Sequence, residues 1–335
     1  MENIEQRTKH VLHEYDLRLH NLVQEGQNRW KAETDCGSFW LEVTHEHPLQ
    51  LNFVASWLRY LSARGVRSVI PFCLTKYGEP CVVTYEGTYL LLPWIEQIAM
   101  IKDLPDWDIK VLKEMARIHK ISAEAGEQWR GYAPVSLRQV RQRWEEGIAR
   151  IEEIAEAGGK RKTASAFERA VRNSAEQVRQ FAEWGIQELE KVAVSSDVLH
   201  LSRALCHGRV HSRNILVGAG RQIYFINFER ANFDTPVRDV TLFFRRYGPA
   251  WEWRKGKGRE WLYAYESERC LTKGERRLLA CYLMYPERLM ELARKYVRAS
   301  KERREQMEQQ QVLAWKKHLR LLPKMHEFAL GIEQN

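Results

Sequence analysis

The sequence predicts an α+β protein: a small antiparallel β part followed by a larger, mainly helical one. Three observations carry that prediction. Strand-type runs broken by turn signals fill the first hundred residues. From Asp108 the apolar residues switch to helical spacing. Between helical stretches sits one short β segment, at residues 206–229. The chain has 335 residues, enough for one large domain or two lobes sharing a cleft. Its 44% hydrophobic and 11% aromatic content supplies a core and excludes global disorder.

Taken in order, RWKAETDCGSFWLEVTH places two strand-like runs around Asp35-Cys36-Gly37, a hairpin signal. LNFVASWLRYLSARGV follows with Phe53, Trp57, Tyr60 and Leu61 on one helical face and Gly65 as its stop. SVIPFCLTK, EPCVVTYEG and TYLLLPWIE read as further strands separated by Lys-Tyr-Gly and Glu-Gly turns, so a small sheet carrying one helix is expected. The pattern changes at Pro93-Trp94. That change sets a β-rich N-terminal lobe at residues 1–93 and a helical lobe at residues 94–335.

Three apolar stripes open the helical part. Ile109, Leu112, Met115, Ala116 and Ile118 form the first. Val140, Trp144, Ile148, Ile151 and Ala155 form the second, ended by Gly158-Gly159. Phe167, Val171, Val178, Phe181, Trp184 and Leu189 form the third, and all three are read as core stripes that need no cofactor. Helices resume through ERRLLACYLMYPERLMELARKYV and QQQVLAWKKHLRLLPKMHEFAL, and KERREQMEQQQ reads as an exposed helix.

No apolar run approaches the length of a membrane span. MENIEQRTKHVLHEYD lacks the apolar stretch of a signal peptide, so export by the general route is not expected. The six cysteines are scattered without a C-x-x-C pair, which suits reduced thiols better than a disulfide framework or a zinc site. A formal charge of +9 is mixed with glutamates along the helices and accompanies no nucleic-acid motif, so a solvated basic face is preferred to nucleic-acid binding.

The segment CHGRVHSRNIL, followed by YFINFE, carries the chemistry. Phosphoryl transfer needs a cation for the nucleotide phosphates, acidic ligands for magnesium, and a carboxylate to orient the acceptor hydroxyl. The loop and strand have the frame of the last two parts, with Asn214 in the place of a metal ligand. This segment resembles the aminoglycoside phosphotransferase and choline kinase group, whose loop reads His-Gly-Asp followed by Asn, with a later Ile-Asp-Phe. RWKAETDCGSFWLEV is similar to the small-lobe hairpin ending in Leu-Lys-Val, LLPWIE to the hinge strand, and LKEMARIH to the helix after it. NFDTPVRDV and YPERLMELARKY give a narrower resemblance, to the kinase-like spore coat proteins of endospore-forming bacteria, the CotS type.

The resemblance implies a two-lobed, protein-kinase-like fold whose degenerate loop spans residues 206–229. It also exposes the departures. The catalytic aspartate becomes Arg209, the metal-binding aspartate Asn227 and the small-lobe lysine Glu42. An arginine cannot accept the hydroxyl proton. A glutamate repels polyphosphate, and an asparagine offers magnesium an oxygen without a charge. No catalytic residue is therefore expected. Glu42, Leu92 and Trp94 remain as remnants of a nucleotide site, with hinge backbone at Leu91 to Trp94 able to hold an adenine. Asn214, Asn227 and Glu229 remain as remnants of a metal site.

The family implies a non-catalytic role in spore coat structure or assembly, with other coat proteins as partners. Its implied location is the mother-cell cytoplasm and spore coat, without cofactor, nucleic acid or membrane span. The alternative is a small-molecule phosphotransferase using ATP and magnesium, with Glu229 replacing the lost carboxylate. Four local expectations accompany this. His207 fixes the loop by bonding to backbone, and His45-Glu46-His47 is a solvated strand end. Arg238-Asp239 forms a structural pair, and Trp251 and Trp253 belong to an exposed loop beside a core tryptophan. Arg209 and Glu42, of opposite charge, could attract and brace the old site, or each could turn to solvent.

Overall fold

A two-residue turn at Asp35-Cys36 joins β2 (Arg29–Thr34) to β3 (Gly37–Thr44), as the hairpin signal predicts. The computed structural model describes residues 4–125, 136–160, 164–195 and 201–333. With β1 (Leu19–Gly26), β4 (Val82–Thr84) and β5 (Gly87–Pro93), these strands form an antiparallel sheet of order β1-β2-β3-β5-β4. The helix α2 (Pro48–Ala63) begins with Pro48, whose fixed φ and missing N–H suit a first helical turn. It ends before Gly65, which adopts φ +79°.

The sheet carries two helices and not one, because α1 (Ile4–His13) precedes it. Val11 and Leu12 of α1 pack with Leu19, Ala32, Leu41, Tyr89 and Leu91 into one buried cluster. SVIPFCLTK is not a strand. It runs extended but joins the sheet region through single contacts, such as the Cys73 amide donating to the Leu91 carbonyl at 2.7 Å. Pro71 lacks the N–H a ladder would use.

Strand gives way to helix at Pro93, where β5 ends, but the chain packs into two compact units divided elsewhere. One comprises Met1–Tyr132 with Arg203–Phe233, the other Ala133–Ser202 with Asp234–Asn335. The first unit therefore includes α3 (Trp107–Glu124), β6 (Ala204–Cys206) and the hairpin of β7 (Ile215–Val217) and β8 (Ile223–Phe225). The hairpin is tied down on both sides: Phe225 N–H donates to Ser68 at 2.7 Å, and Ile98 N–H donates to Val217 at 2.9 Å. A short strand, β9 (Asn232–Asp234), follows.

The second unit is helical: α4 (Leu137–Lys160), α5 (Ala166–Arg172), α6 (Ala175–Val194), α7 (Val237–Tyr247), α8 (Lys255–Glu266), α9 (Lys273–Met284), α10 (Glu287–Arg298) and α11 (Lys301–Glu333). α4 ends at Lys160, one residue past Gly158-Gly159. Gly158 is buried against Glu168 of α5, and a Cβ there would lie 3.1 Å from the Glu168 Cβ, so the glycine serves close packing. The third apolar stripe is split between α5 and α6. The Trp315 indole donates to Ser174 at that break at 3.0 Å. Trp144 stacks on Tyr285 with ring centroids 4.2 Å apart, and the Tyr285 hydroxyl donates to the Trp144 carbonyl at 3.1 Å. Arg238 pairs with Asp234 at 3.2 Å. Trp253 is buried while Trp251 is exposed, with Lys257 over its ring. The segment 301–311 is helical and largely exposed, as its composition predicts. None of the six cysteines forms a disulfide. Among the described residues no helix is long and apolar enough to cross a membrane.

Candidate functional site

The register of β2, β3 and β5 decides which side chains meet. Arg29 lies opposite Glu42 and Lys31 opposite Trp40, while Trp40 and Glu42 face Leu92 and Leu90 of β5. Side chains alternate along a strand, so these six share one face of the sheet. Ala32, Leu41, Tyr89 and Leu91 point the other way, into the core beneath α1.

The hairpin of β7 and β8 supplies the rest of the site, within the same unit. Arg29 pairs with Glu42, and the same guanidinium donates to the Asn227 side-chain oxygen. Asn227 adopts φ +65°, a left-handed conformation that asparagine tolerates better than most residues, at the end of β8. Its amide donates to Asn214 Oδ1 at 2.8 Å, and the Asn214 amide donates to the Arg209 carbonyl at 2.9 Å. The polar chain Glu42–Arg29–Asn227–Asn214 thus links the sheet to the loop. The Glu229 carboxyl lies close enough to Glu42 to act on its ionisation. Burial, above all, raises the Glu42 pKa, to about 7. Arg29 opposes that shift and Glu229 adds to it.

Further along the same face, Trp40 meets Trp94 with ring centroids 4.1 Å apart. Cations cap both rings: Arg29 lies 4.8 Å from the Trp40 centroid and Lys31 lies 4.9 Å from that of Trp94. The Trp94 indole donates to Glu96 at 2.8 Å. Leu92 is buried beside Trp40 in the register.

The loop is held as its sequence predicts. His207 Nε2 lies 2.8 Å from the Ile226 carbonyl, and the Arg209 amide donates to Nδ1 at 3.2 Å, so Nε2 carries the proton. Gly208 at φ +73° makes the tight passage between them. His47 does more than end a strand: its Nδ1 accepts from the Leu49 amide at 3.2 Å and caps α2. Glu46 pairs with Arg230.

Arg209 does not brace Glu42. Its side chain is exposed, and only its backbone enters the network. Glu42 finds its cation at Arg29, on the adjacent strand and already opposite in register, without spanning to the loop. Sequence reasoning missed Arg29 and Trp40 as members of the site. One signal was available: a two-residue turn at Asp35-Cys36 fixes the pairing, which makes Arg29 the partner of Glu42 by counting back along the hairpin.

Over residues 8–322 the chain matches the family described as "Spore coat putative kinase YutH". Among solved structures it is similar to an aminoglycoside phosphotransferase from Alicyclobacillus acidocaldarius, with 17% identity, a TM-score of 0.80, and 97% of this chain and 95% of that chain covered. A spectinomycin phosphotransferase, solved with ADP and spectinomycin, aligns at 19% identity and a TM-score of 0.65 over 96% of this chain and 95% of its own. A microcompartment-associated aminopropanol kinase aligns at 15% identity and 0.53 over 99% of both chains. At these identities the likeness is one of fold. The structure thus has the phosphotransferase architecture that the loop and hairpin motifs predict, and the chain belongs to the YutH family of spore coat kinase-like proteins.

Proposed function

We propose that this protein is a non-catalytic, kinase-like component of the bacterial spore coat, acting in coat structure or assembly through contacts with other coat proteins. Its location under this reading is the mother-cell cytoplasm and the spore coat. Family membership supports the setting. The observation that carries the non-catalytic part is the Arg29 guanidinium held between Glu42 and Asn227.

A magnesium-bound nucleotide does not fit these residues as they stand. The Asn227 side-chain oxygen already accepts from a guanidinium, and that of Asn214 accepts from Asn227. A fixed cation on the Asn227 oxygen opposes a divalent ion there, and neither amide contributes negative charge. Glu42 offers polyphosphate a carboxyl group where a cation is needed, and Trp40 against Trp94 covers the neighbouring part of the same face. Arg209, exposed and cationic, cannot act as a base. No cofactor is assigned on this reading.

The test is calorimetry of the full chain with ATP, with and without magnesium, alongside a phosphate-transfer assay. The expected result is no saturable, magnesium-dependent binding and no transfer. Micromolar magnesium-dependent affinity would overturn the non-catalytic reading and favour a phosphotransferase using Asn214, Asn227 and Glu229.

A further inference from the structure

In the helical unit, a cavity of about 470 Å³ opens between α7, the start of α10 and the second half of α11. Its wall divides by chemistry. Trp253, Leu321, Leu322 and Met325 give one apolar part, all buried. Arg245, Arg246, Arg288 and Lys317 give four cations. Two carboxylates share the wall, Glu287 and Glu291, and both are committed. Glu291 pairs with Arg288 at 2.6 Å and with Lys295 at 2.7 Å, while Glu287 reaches Arg245 at 3.4 Å. Arg246 and Lys317 are exposed and have no carboxylate partner among the described residues.

Arg245 is the informative side chain. One terminal nitrogen donates to the Tyr282 carbonyl, and its buried Nε–H meets no acceptor among the described residues. Burial works against its charge most. Glu287 offsets that in part, and the Arg143 guanidinium of α4 adds to it. His318, also on the wall, is held neutral. Burial, then Arg288 and Lys317, lowers its pKa to about 4. A guanidinium enclosed with an unused donor and an excess of neighbouring cations is an incomplete electrostatic arrangement, and an oxyanion completes it.

We propose that this pocket binds a small organic oxyanion, with a phosphate or carboxylate head held by Arg245 and Arg246 and an apolar body against Trp253 and Leu321. A guanidinium fork matches either head, and the apolar wall requires more than a bare inorganic ion. The proposal is independent of the reading of the kinase-like site, since every residue in it belongs to the helical unit.

Calorimetric titration of the full chain with phenyl phosphate, benzoate and inorganic phosphate tests it. One of the two aromatic anions is expected to saturate the protein at least about tenfold more tightly than inorganic phosphate does. Tighter phenyl phosphate assigns a phosphate head, and tighter benzoate a carboxylate head. The exposed double variant Arg246→Glu/Lys317→Glu is expected to weaken that binding by about tenfold or more while keeping the wild-type melting curve. Arg246→Gln alone, a milder change, should weaken it in the same direction. The proposal fails if neither aromatic anion saturates the protein. It also fails if inorganic phosphate binds as tightly as phenyl phosphate, or if Arg246→Gln leaves the affinity unchanged.

Discussion

On the α1 side of the sheet, Ala32, Leu41, Tyr89 and Leu91 are almost wholly enclosed in one hydrophobic cluster. On the other side of the same strands stand Arg29, Lys31, Trp40 and Glu42, all partly buried and joined by charge pairs and ring contacts. The two faces alternate residue by residue, so they share a backbone but not a constraint. The core face answers only to volume and burial, which a phosphotransferase and a coat component need equally. The opposite face is where such a fold keeps its chemistry, and here that face is satisfied by the protein's own side chains. Packing on one face maintains a fold independently of what the polar face does, so the fold alone assigns no activity.

The largest expected effect comes from breaking the core face. Leu41→Ala, at a position with no exposure, should cost about 2–5 kcal/mol in urea unfolding, as lost burial and a cavity combine. On the polar face, Arg29→Ala leaves Glu42 and Glu229 facing each other without their cation, for roughly 1–3 kcal/mol. The double change Arg29→Leu/Glu42→Leu should recover most of that loss, because a matched apolar pair removes both charges together. If the double variant is as unstable as the single one, the face is held by something other than this pair.

Trp40→Ala should cost roughly 1 kcal/mol, for the loss of the contact with Trp94 and the cation over it. A pH series sharpens the comparison further. The folded pKa of Glu42, about 7, lies above its ordinary value of 4.5. The folded protein therefore holds that proton more tightly than the unfolded chain does. The resulting stability is fully present below pH 4.5 and is lost as pH rises towards 7. Glu42→Gln cannot ionise, so its stability should decline less over that interval, measured by unfolding at fixed temperature. The smallest effect belongs to Arg209→Asp. The side chain is exposed, so stability should change by less than about 0.5 kcal/mol. Phosphate transfer should remain absent, because Glu42, Arg29 and Asn227 are untouched. Measurable transfer by this single variant would show that the site is live.

Much of this was legible in the residues alone. Strands β2, β3 and β5, helix α2 and the 206–229 loop announce themselves through alternation, turn residues and motif spacing, all of which are local. So do the departures at Arg209, Asn227 and Glu42, since replacing a charge type at a motif position needs no coordinates to notice. His207 was legible too, because its partner lies in the adjacent strand of the same motif.

What the tertiary structure decided were pairings over distance. Nothing local in GKR or AGG says that Gly158 will be pressed against Glu168 of α5. The sequence motif offered Arg209 as the counterpart of Glu42, or solvent for each, and did not point to Arg29. Register placed Arg29 beside it and left Arg209 to solvent. Charge type is written in a residue, whereas proximity is a property of the folded backbone. In this protein that difference separates the charge types legible at Arg209, Asn227 and Glu42 from the Arg29 contacts that join two of them.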